Sequence, residues 1–120
     1  MTRQPATVHV DKPWGSFDQF VLNTQCTVKV LTCNPGQKLS LQRHRLRDEL
    51  WIALDHGVVV ELDGKIQTPD KGVQLWLPAG CVHRLSCDAG RPHPVRVLEI
   101  SLGSFDENDI ERLEDVYGRN

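Results

Sequence analysis

Short runs of β-prone residues recur along the chain, each closed by a turn signal, and this punctuation limits the fold more than any other feature. Thr27–Thr32 ends at Asn34-Pro35-Gly36, and Leu39–Arg43 follows. Leu50–Leu54 ends at Asp55-His56-Gly57, Val58–Leu62 at Asp63-Gly64, and Lys65–Thr68 at Pro69-Asp70-Lys71-Gly72. Val73–Leu77 ends at Pro78-Ala79-Gly80, His83–Ser86 at Asp88–Pro94, and Val95–Leu102 closes the series. Short strands at regular spacing, separated by Gly, Pro and Asp, predict an all-β sandwich or barrel. Asp63-Gly64 predicts a two-residue hairpin turn. Only the end reads as helical: Asp106 or Asn108 caps a short helix over Asp109–Glu114, with Ile110 and Leu113 three apart on one face.

A chain of 120 residues favours one domain over residues 1–120, with residues 1–10 an N-terminal extension and residues 105–120 a C-terminal helix and tail. Such a domain can bury a core without disulfides or a structural metal. The net charge of -2 offers no basic excess for nucleic acid, and no polybasic cluster favours a membrane surface. The opening MTRQPATVHV lacks the apolar centre of a signal peptide, and no apolar run approaches transmembrane length. A cytoplasmic location is therefore expected. Cys26, Cys33, Cys81 and Cys87 form no C-x-x-C pair and are expected to stay reduced. Small buried thiols are also the expected role of Cys81 and Cys87 beside His83. His9, His56 and His93 sit in end or turn contexts, where the surface is the default.

The stretch LQRHRLRDELW, Leu41 to Trp51, taken alone reads either as a charged surface strand or as a set of side chains turned to one metal ion. In a strand, residues i and i+2 face the same way, so Gln42 and His44 project together. Glu49 follows a turn at Arg45–Asp48, and if the two strands pair it returns to the same face. That set supplies an imidazole, a carboxylate and an amide carbonyl, all able to bind a divalent metal. The alternative for the same stretch is a charged surface strand. Downstream, GVQLWLPAGCVHRLSC, Gly72 to Cys87, places His83 on a strand after a tight Pro78-Ala79-Gly80 turn.

Together the two stretches resemble the two motifs of the cupins, G-x5-H-x-H-x(3,4)-E-x6-G and G-x5-P-x-G-x2-H-x3-N. Gly36, Gln42, His44, Glu49 and Gly57 follow the first, with Gln42 where the first His usually stands and a final spacer of seven residues. Gly72, Pro78, Gly80 and His83 follow the second, with Cys87 in place of Asn. The resemblance implies a double-stranded β-helix, a jelly-roll-like barrel, in which Gln42, His44, Glu49 and His83 bind one divalent metal ion. Zinc, manganese, iron, cobalt and nickel are not distinguished by this set.

The resemblance narrows to the cupin domain of type II phosphomannose isomerases. Asp11-Lys12-Pro13-Trp14-Gly15-Ser16-Phe17 resembles their R-P-W-G-x-[YF], and Leu39-Ser40-Leu41-Gln42 their L-S-L-Q. Pro78-Ala79-Gly80 with His83-Arg84-Leu85 follows P-A-G-x-x-H-R-L, and Glu99, Gly103 and Ser104 follow E-x-Q-x-G-S. The closing Asp109-Ile110 and Arg112–Arg119 are close to D-I-V-R-F-E-D-V-Y-G-R. His44-Arg45-Leu46-Arg47 stands where the family usually writes H-H-H-R, so two histidines are missing. The resemblance implies interconversion of mannose 6-phosphate and fructose 6-phosphate, and a homodimer. The family's nucleotidyltransferase domain has no counterpart in these residues, and guanylyltransferase activity is not expected.

The reaction needs a proton moved between C2 and C1, a stabilised oxyanion and a held phosphate. Lys12 and Arg119 are the candidate catalytic residues, with Glu61 or Glu99 as a base if either points inward. Arg45 and Arg84 are the candidate phosphate contacts, each weighed against an ordinary surface charge. Trp14, Trp51 and Trp76 are candidates for sugar stacking or for core and rim. Two alternatives stand beside the isomerase: another metal-dependent cupin enzyme, such as an epimerase or dioxygenase, and a non-catalytic sugar- or metal-binding cupin.

Overall fold

The structure, a computed structural model, describes residue 4 and residues 6–119. Residues 1–3 and 5 of the expected N-terminal extension lie outside the described residues. Eleven strands are present among the described residues: β1 (Val8–Lys12), β2 (Gly15–Gln19), β3 (Cys26–Cys33), β4 (Leu41–Arg43), β5 (Arg47–Ala53), β6 (Val59–Leu62), β7 (Lys65–Gln67), β8 (Gln74–Leu77), β9 (His83–Ser86), β10 (Val95–Gly103) and β11 (Glu111–Glu114).

They form a β1–β2 hairpin, a four-stranded sheet in the order β3-β10-β5-β8 and a five-stranded sheet in the order β11-β4-β9-β6-β7. All named pairings are antiparallel. The β6–β7 hairpin turns on Asp63 and Gly64, both at positive φ (47° and 82°), as a two-residue hairpin turn requires.

Strand β5 explains how charged residues enter the core. Alternation divides it into two faces. Trp51 and Ala53 pack into a cluster with Val58, Val60, Leu77, Leu85, Val95 and Val97, between the two large sheets. Leu50 and Ile52 pack on the other face with Ile100 and Leu102, under Phe20, Val21 and Trp76. Both faces are covered, so all seven residues of β5, Arg47, Asp48 and Glu49 included, are buried. Arg47 and Glu49 share the inner face with Trp51.

The expected helix over Asp109–Glu114 is not there; Glu111–Glu114 is strand β11, paired with β4. Asp106 does use its carboxylate locally, accepting the Asn108 amide, but this i to i+2 bond closes a turn rather than capping a helix. Without β11, β4 would be an open sheet edge with its backbone groups unpaired. The Ile110/Leu113 spacing cannot distinguish the two outcomes, because the deciding partner is a strand some seventy residues earlier. Strands β1 and β2 lie outside the runs read from sequence. No helix of the described residues is long and apolar enough to cross a membrane.

Candidate metal centre

Three strands, β4, β5 and β9, and the loop after β4 bring the candidate ligands together. Gln42 on β4 lies directly opposite His83 on β9, so their side chains share the inner face. The Gly80 amide donates to the His44 carbonyl at 2.7 Å, and the Ala79 amide donates to Asp48 Oδ1 at 2.6 Å. These bonds join the Pro78-Ala79-Gly80 turn to the segment that carries His44 and Glu49. Gly103 completes the frame: its φ is +110° and a Cβ there would lie 2.6 Å from the Leu46 carbonyl oxygen. A side chain at this position would push β10 off the turn that follows His44.

His44, Glu49 and His83 are all buried, and one ligand atom from each lies within 4.8 Å of the others. His44 Nδ1 donates to the Asp109 carbonyl at 2.7 Å, and since a carbonyl only accepts, Nε2 is the ring nitrogen left to face inward as an acceptor. An Arg47 Nη2–H donates to that Nε2 at 3.2 Å. His83 Nδ1 donates to the Cys81 carbonyl at 3.2 Å, which leaves His83 Nε2 buried without a hydrogen-bond partner. Burial, then the neighbouring charges, set His83: desolvation dominates and lowers its pKa, so it stays neutral with that lone pair available. Glu49 Oε1 and Oε2 lie 3.6 Å from His83 Nε2 and 3.7 Å from His44 Nε2. Those gaps are too long for hydrogen bonds and close to the ligand–ligand spacing around a divalent ion with bonds of about 2 Å. The donor set therefore fits a metal: two imidazoles whose Nε2 atoms face inward, that of His83 without a partner, and a carboxylate between them. Gln42 Oε1 accepts from Ser40 Oγ at 2.9 Å.

Glu49 is held from both sides. Arg47 Nε donates to Oε2 at 3.0 Å and Trp51 Nε1 donates to Oε1 at 3.2 Å. Arg47 in turn stacks over Phe105 at 4.4 Å and donates to the Asp106 carbonyl at 3.2 Å.

Asp109 was not singled out by the sequence, yet it fixes the turn after His44. Its carboxylate accepts the amides of Arg45 and Leu46, both at 2.9 Å, while its carbonyl orients the His44 ring. Desolvation pushes the Asp109 carboxyl up, but the two amide bonds outweigh it and hold the carboxyl below its usual range. Asp109→Ala leaves both amides without this acceptor and lets the ring turn. Its expected effect is a loss of about 2 kcal/mol of stability, as for a lost cap, and a 10- to 100-fold loss of metal affinity, the usual consequence of disturbing a ligand's support. Metal titration of the variant against the unaltered chain measures it; equal affinity would show that Asp109 does not hold His44 in place.

Glu99 on β10 lies directly opposite Trp51, on the inner face beside Glu49. Burial, then the charge of Glu49, pushes its carboxyl up to about 7. The folded state thus holds this proton more tightly than the unfolded chain, whose value is near 4.5. Stability from this group is complete below about pH 4.5 and is lost as pH rises through about 7, in all about 3 kcal/mol. In metal-stripped protein, melting curves across that window should fall more steeply for the unaltered chain than for Glu99→Gln; parallel curves would contradict the assignment. Glu61, by contrast, pairs with Arg84 across β6 and β9, one residue from His83 and so on the opposite face.

Of the four expected cations, Arg45 and Arg84 each adjoin a candidate ligand in the chain, and Lys12 and Arg119 do not. Lys12 is exposed at the end of β1. Arg45 is exposed beside a hollow of about 320 Å³ lined also by Arg43, Asn108 and Glu111. Arg84 is buried, donating to the Leu39 carbonyl and to Glu114, where it ties β11 to the sheet. Arg119 pairs with Asp115 at 2.7 Å and, with Tyr117, faces the loop Asn34–Leu39, at the end of β4 away from His44. Among the described residues none of the four has a hydrogen bond to His44, Glu49 or His83. Trp51 packs edge-on to His83, and Trp14 is 73% exposed on the hairpin. The four cysteines are free, with Cys81 Sγ 3.8 Å from His83 Nδ1.

The profile of one protein family, described as mannose-6-phosphate isomerase C-terminal, matches residues 2–115. Among characterised relatives, the alginate biosynthesis protein AlgA of Pseudomonas aeruginosa is 40% identical over 111 residues, 92% of this chain and 23% of that protein. The xanthan biosynthesis protein XanB of Xanthomonas campestris is 36% identical over 120 residues, 98% of this chain and 25% of that protein. The mannose-1-phosphate guanylyltransferase of Escherichia coli is 33% identical over 111 residues, 92% of this chain and 23% of that protein. The chain thus spans about a quarter of the length of these relatives. Of solved structures, the capsular polysaccharide assembling protein CapF of Staphylococcus aureus superposes with a TM-score of 0.64 at 19% identity, over 91% of this chain and 34% of CapF. A cupin protein of Bacteroides fragilis superposes with a TM-score of 0.59 at 16% identity, over 87% of this chain and 81% of that one. At such identities the likeness concerns the fold alone.

Proposed function

Starting from a chain that belongs to the mannose-6-phosphate isomerase C-terminal family and has the cupin fold, we propose that it is a metal-dependent sugar-phosphate isomerase interconverting mannose 6-phosphate and fructose 6-phosphate or a related aldose and ketose phosphate. The observation that carries this reading is the orphaned, inward-facing Nε2 of His83 beside the Glu49 carboxylate and the Nε2 of His44. His44, Glu49 and His83 would hold one divalent ion, with Gln42, opposite His83, as a fourth ligand once its amide turns from Ser40. A bound ion polarises carbonyl and hydroxyl oxygens of the sugar as a Lewis acid.

The remaining work falls to side chains. Arg47 and Trp51 fix the Glu49 carboxylate, and Asp109 fixes the His44 ring. Glu99 is the residue we assign to carry the proton between C2 and C1: it is on the inner face, and a carboxyl that titrates near neutrality both takes and returns a proton efficiently. Arg45 is exposed at the rim and available to a bound phosphate. Lys12 and Arg119 would reach the centre only by movement of the hairpin and the tail, and Arg84 only by releasing Glu114. A cytoplasmic homodimer belongs to the same reading; Val28 and Val30, 55% and 54% exposed on the outer face of edge strand β3, are its candidate contact, and sedimentation equilibrium tests it.

The test is a coupled assay of mannose 6-phosphate to fructose 6-phosphate on metal-stripped protein, with each divalent ion restored in turn. Turnover that returns with metal and vanishes with chelator supports the isomerase. Metal binding without turnover moves the function to another substrate or to a binding role.

A further inference from the structure

Arg112 is the cation left over in the C-terminal segment. It lies in β11, directly opposite Gln42 on β4, which in turn lies directly opposite His83 on β9. Directly opposed residues share a face, so Arg112, Gln42 and His83 form one row across the inner face of the five-stranded sheet. In β11 it is the half-buried residue between exposed neighbours. Its Nε is buried and has no hydrogen-bond partner.

Nearby carboxylates do not account for it. Glu107 pairs with Lys29, Glu111 with Arg43, Glu114 with Arg84 and Asp115 with Arg119. Each acid is matched to another cation, and no ion pair to Arg112 is present among the described residues. A guanidinium that remains charged at any working pH, with a buried and unanswered N–H, is costly unless an anion meets it. Its planar fork matches the oxygens of a phosphate.

We infer that Arg112 is the anchor for the anionic group of the substrate, taking the phosphate of a sugar phosphate whose carbonyl end lies at the His44–Glu49–His83 centre. This assignment rests on the isomerase reading for the carbonyl end and on the Arg112–Gln42–His83 row for the phosphate end. Adjacent strands are about 4.8 Å apart, so the row separates the two ends by about 10 Å at the backbone, with inward-leaning side chains shortening it. That leaves Gln42, the proposed fourth ligand, between the two ends of the row. The sequence did not single out Arg112, because its place beside Gln42 depends on a strand pairing that spacing along the chain does not encode.

The experiment is calorimetric titration of the metal-loaded chain and of Arg112→Gln and Arg112→Lys with mannose 6-phosphate, mannose and inorganic phosphate, alongside metal content and thermal melting. Arg112→Gln should bind mannose 6-phosphate on the order of 100-fold more weakly, with metal content unchanged and mannose binding unaffected. Arg112→Lys should recover part of the loss. Equal affinity for mannose 6-phosphate in the Arg112→Gln variant overturns the assignment. Should the unaltered chain neither bind nor turn over mannose 6-phosphate, the isomerase reading fails on its own, and inorganic phosphate decides Arg112: binding lost in Arg112→Gln supports the anchor. Binding equal in both, or absent from the unaltered chain, overturns it.

Discussion

His83→Ala should lower divalent-metal affinity by at least about 100-fold and remove mannose 6-phosphate turnover. The ring supplies a lone pair that is buried, neutral and unanswered by any protein donor. Losing a ligand outright exceeds the 10- to 100-fold effect of losing only a ligand's support. Alanine also leaves a void beside Trp51 and Gln42, so a stability loss of about 2 kcal/mol is expected in the metal-free protein. His83→Gln fills most of that void, which separates the two consequences. It should recover stability without recovering tight binding. Competition with a chromophoric chelator measures the affinity. If His83→Ala holds metal as tightly as the unaltered chain, the imidazole is not a ligand.

Arg47→Met should destabilise the metal-free protein by about 3–5 kcal/mol, the usual consequence of leaving one partner of a buried ion pair alone. Glu49 is 1% exposed, and the Arg47 guanidinium is the cation that hydrogen-bonds to it. Methionine keeps the volume over Phe105 but leaves the carboxylate uncompensated. For a chain of this size the melting temperature should fall by roughly 10–20 °C. Divalent metal should then raise the variant's melting temperature more than it raises that of the unaltered chain, because an ion supplies the charge that Arg47 no longer does. The Arg47 N–H on His44 Nε2 sharpens this: it occupies the lone pair that a metal would take. Melting curves with and without metal give both numbers. An unchanged melting temperature in the metal-free variant would mean that Arg47 does not carry the charge balance of the cluster.

Much of this was legible because turns and alternation are local. Asp63-Gly64 predicted the β6–β7 hairpin, and the run Val95–Leu102 is β10 to within a residue. The candidate ligands were legible for a different reason: Gln42, His44, Glu49 and His83 sit at motif spacings, and the fold gathers His44, Glu49 and His83 into one buried group. What stayed hidden was non-local. Arg47 and Asp48 read as part of a turn, yet both are buried in β5, and the partners that make burial tolerable include Ala79 and Asp106, far along the chain. Asp109 looked like the first residue of a helix, but its carboxylate serves amides at Arg45 and Leu46, more than sixty positions earlier. Strands β1 and β2 escaped because solvent reaches both faces of the hairpin, so no apolar alternation marks them. Val8 and Phe17 remain largely exposed there.

The most direct test of the metal centre is equilibrium dialysis of the metal-stripped chain against zinc or manganese, with metal counted per chain. One ion per chain, lost in a variant carrying His44→Ala, Glu49→Gln and His83→Ala together, is the result this structure predicts. No bound ion, or the same stoichiometry in that variant, would contradict it.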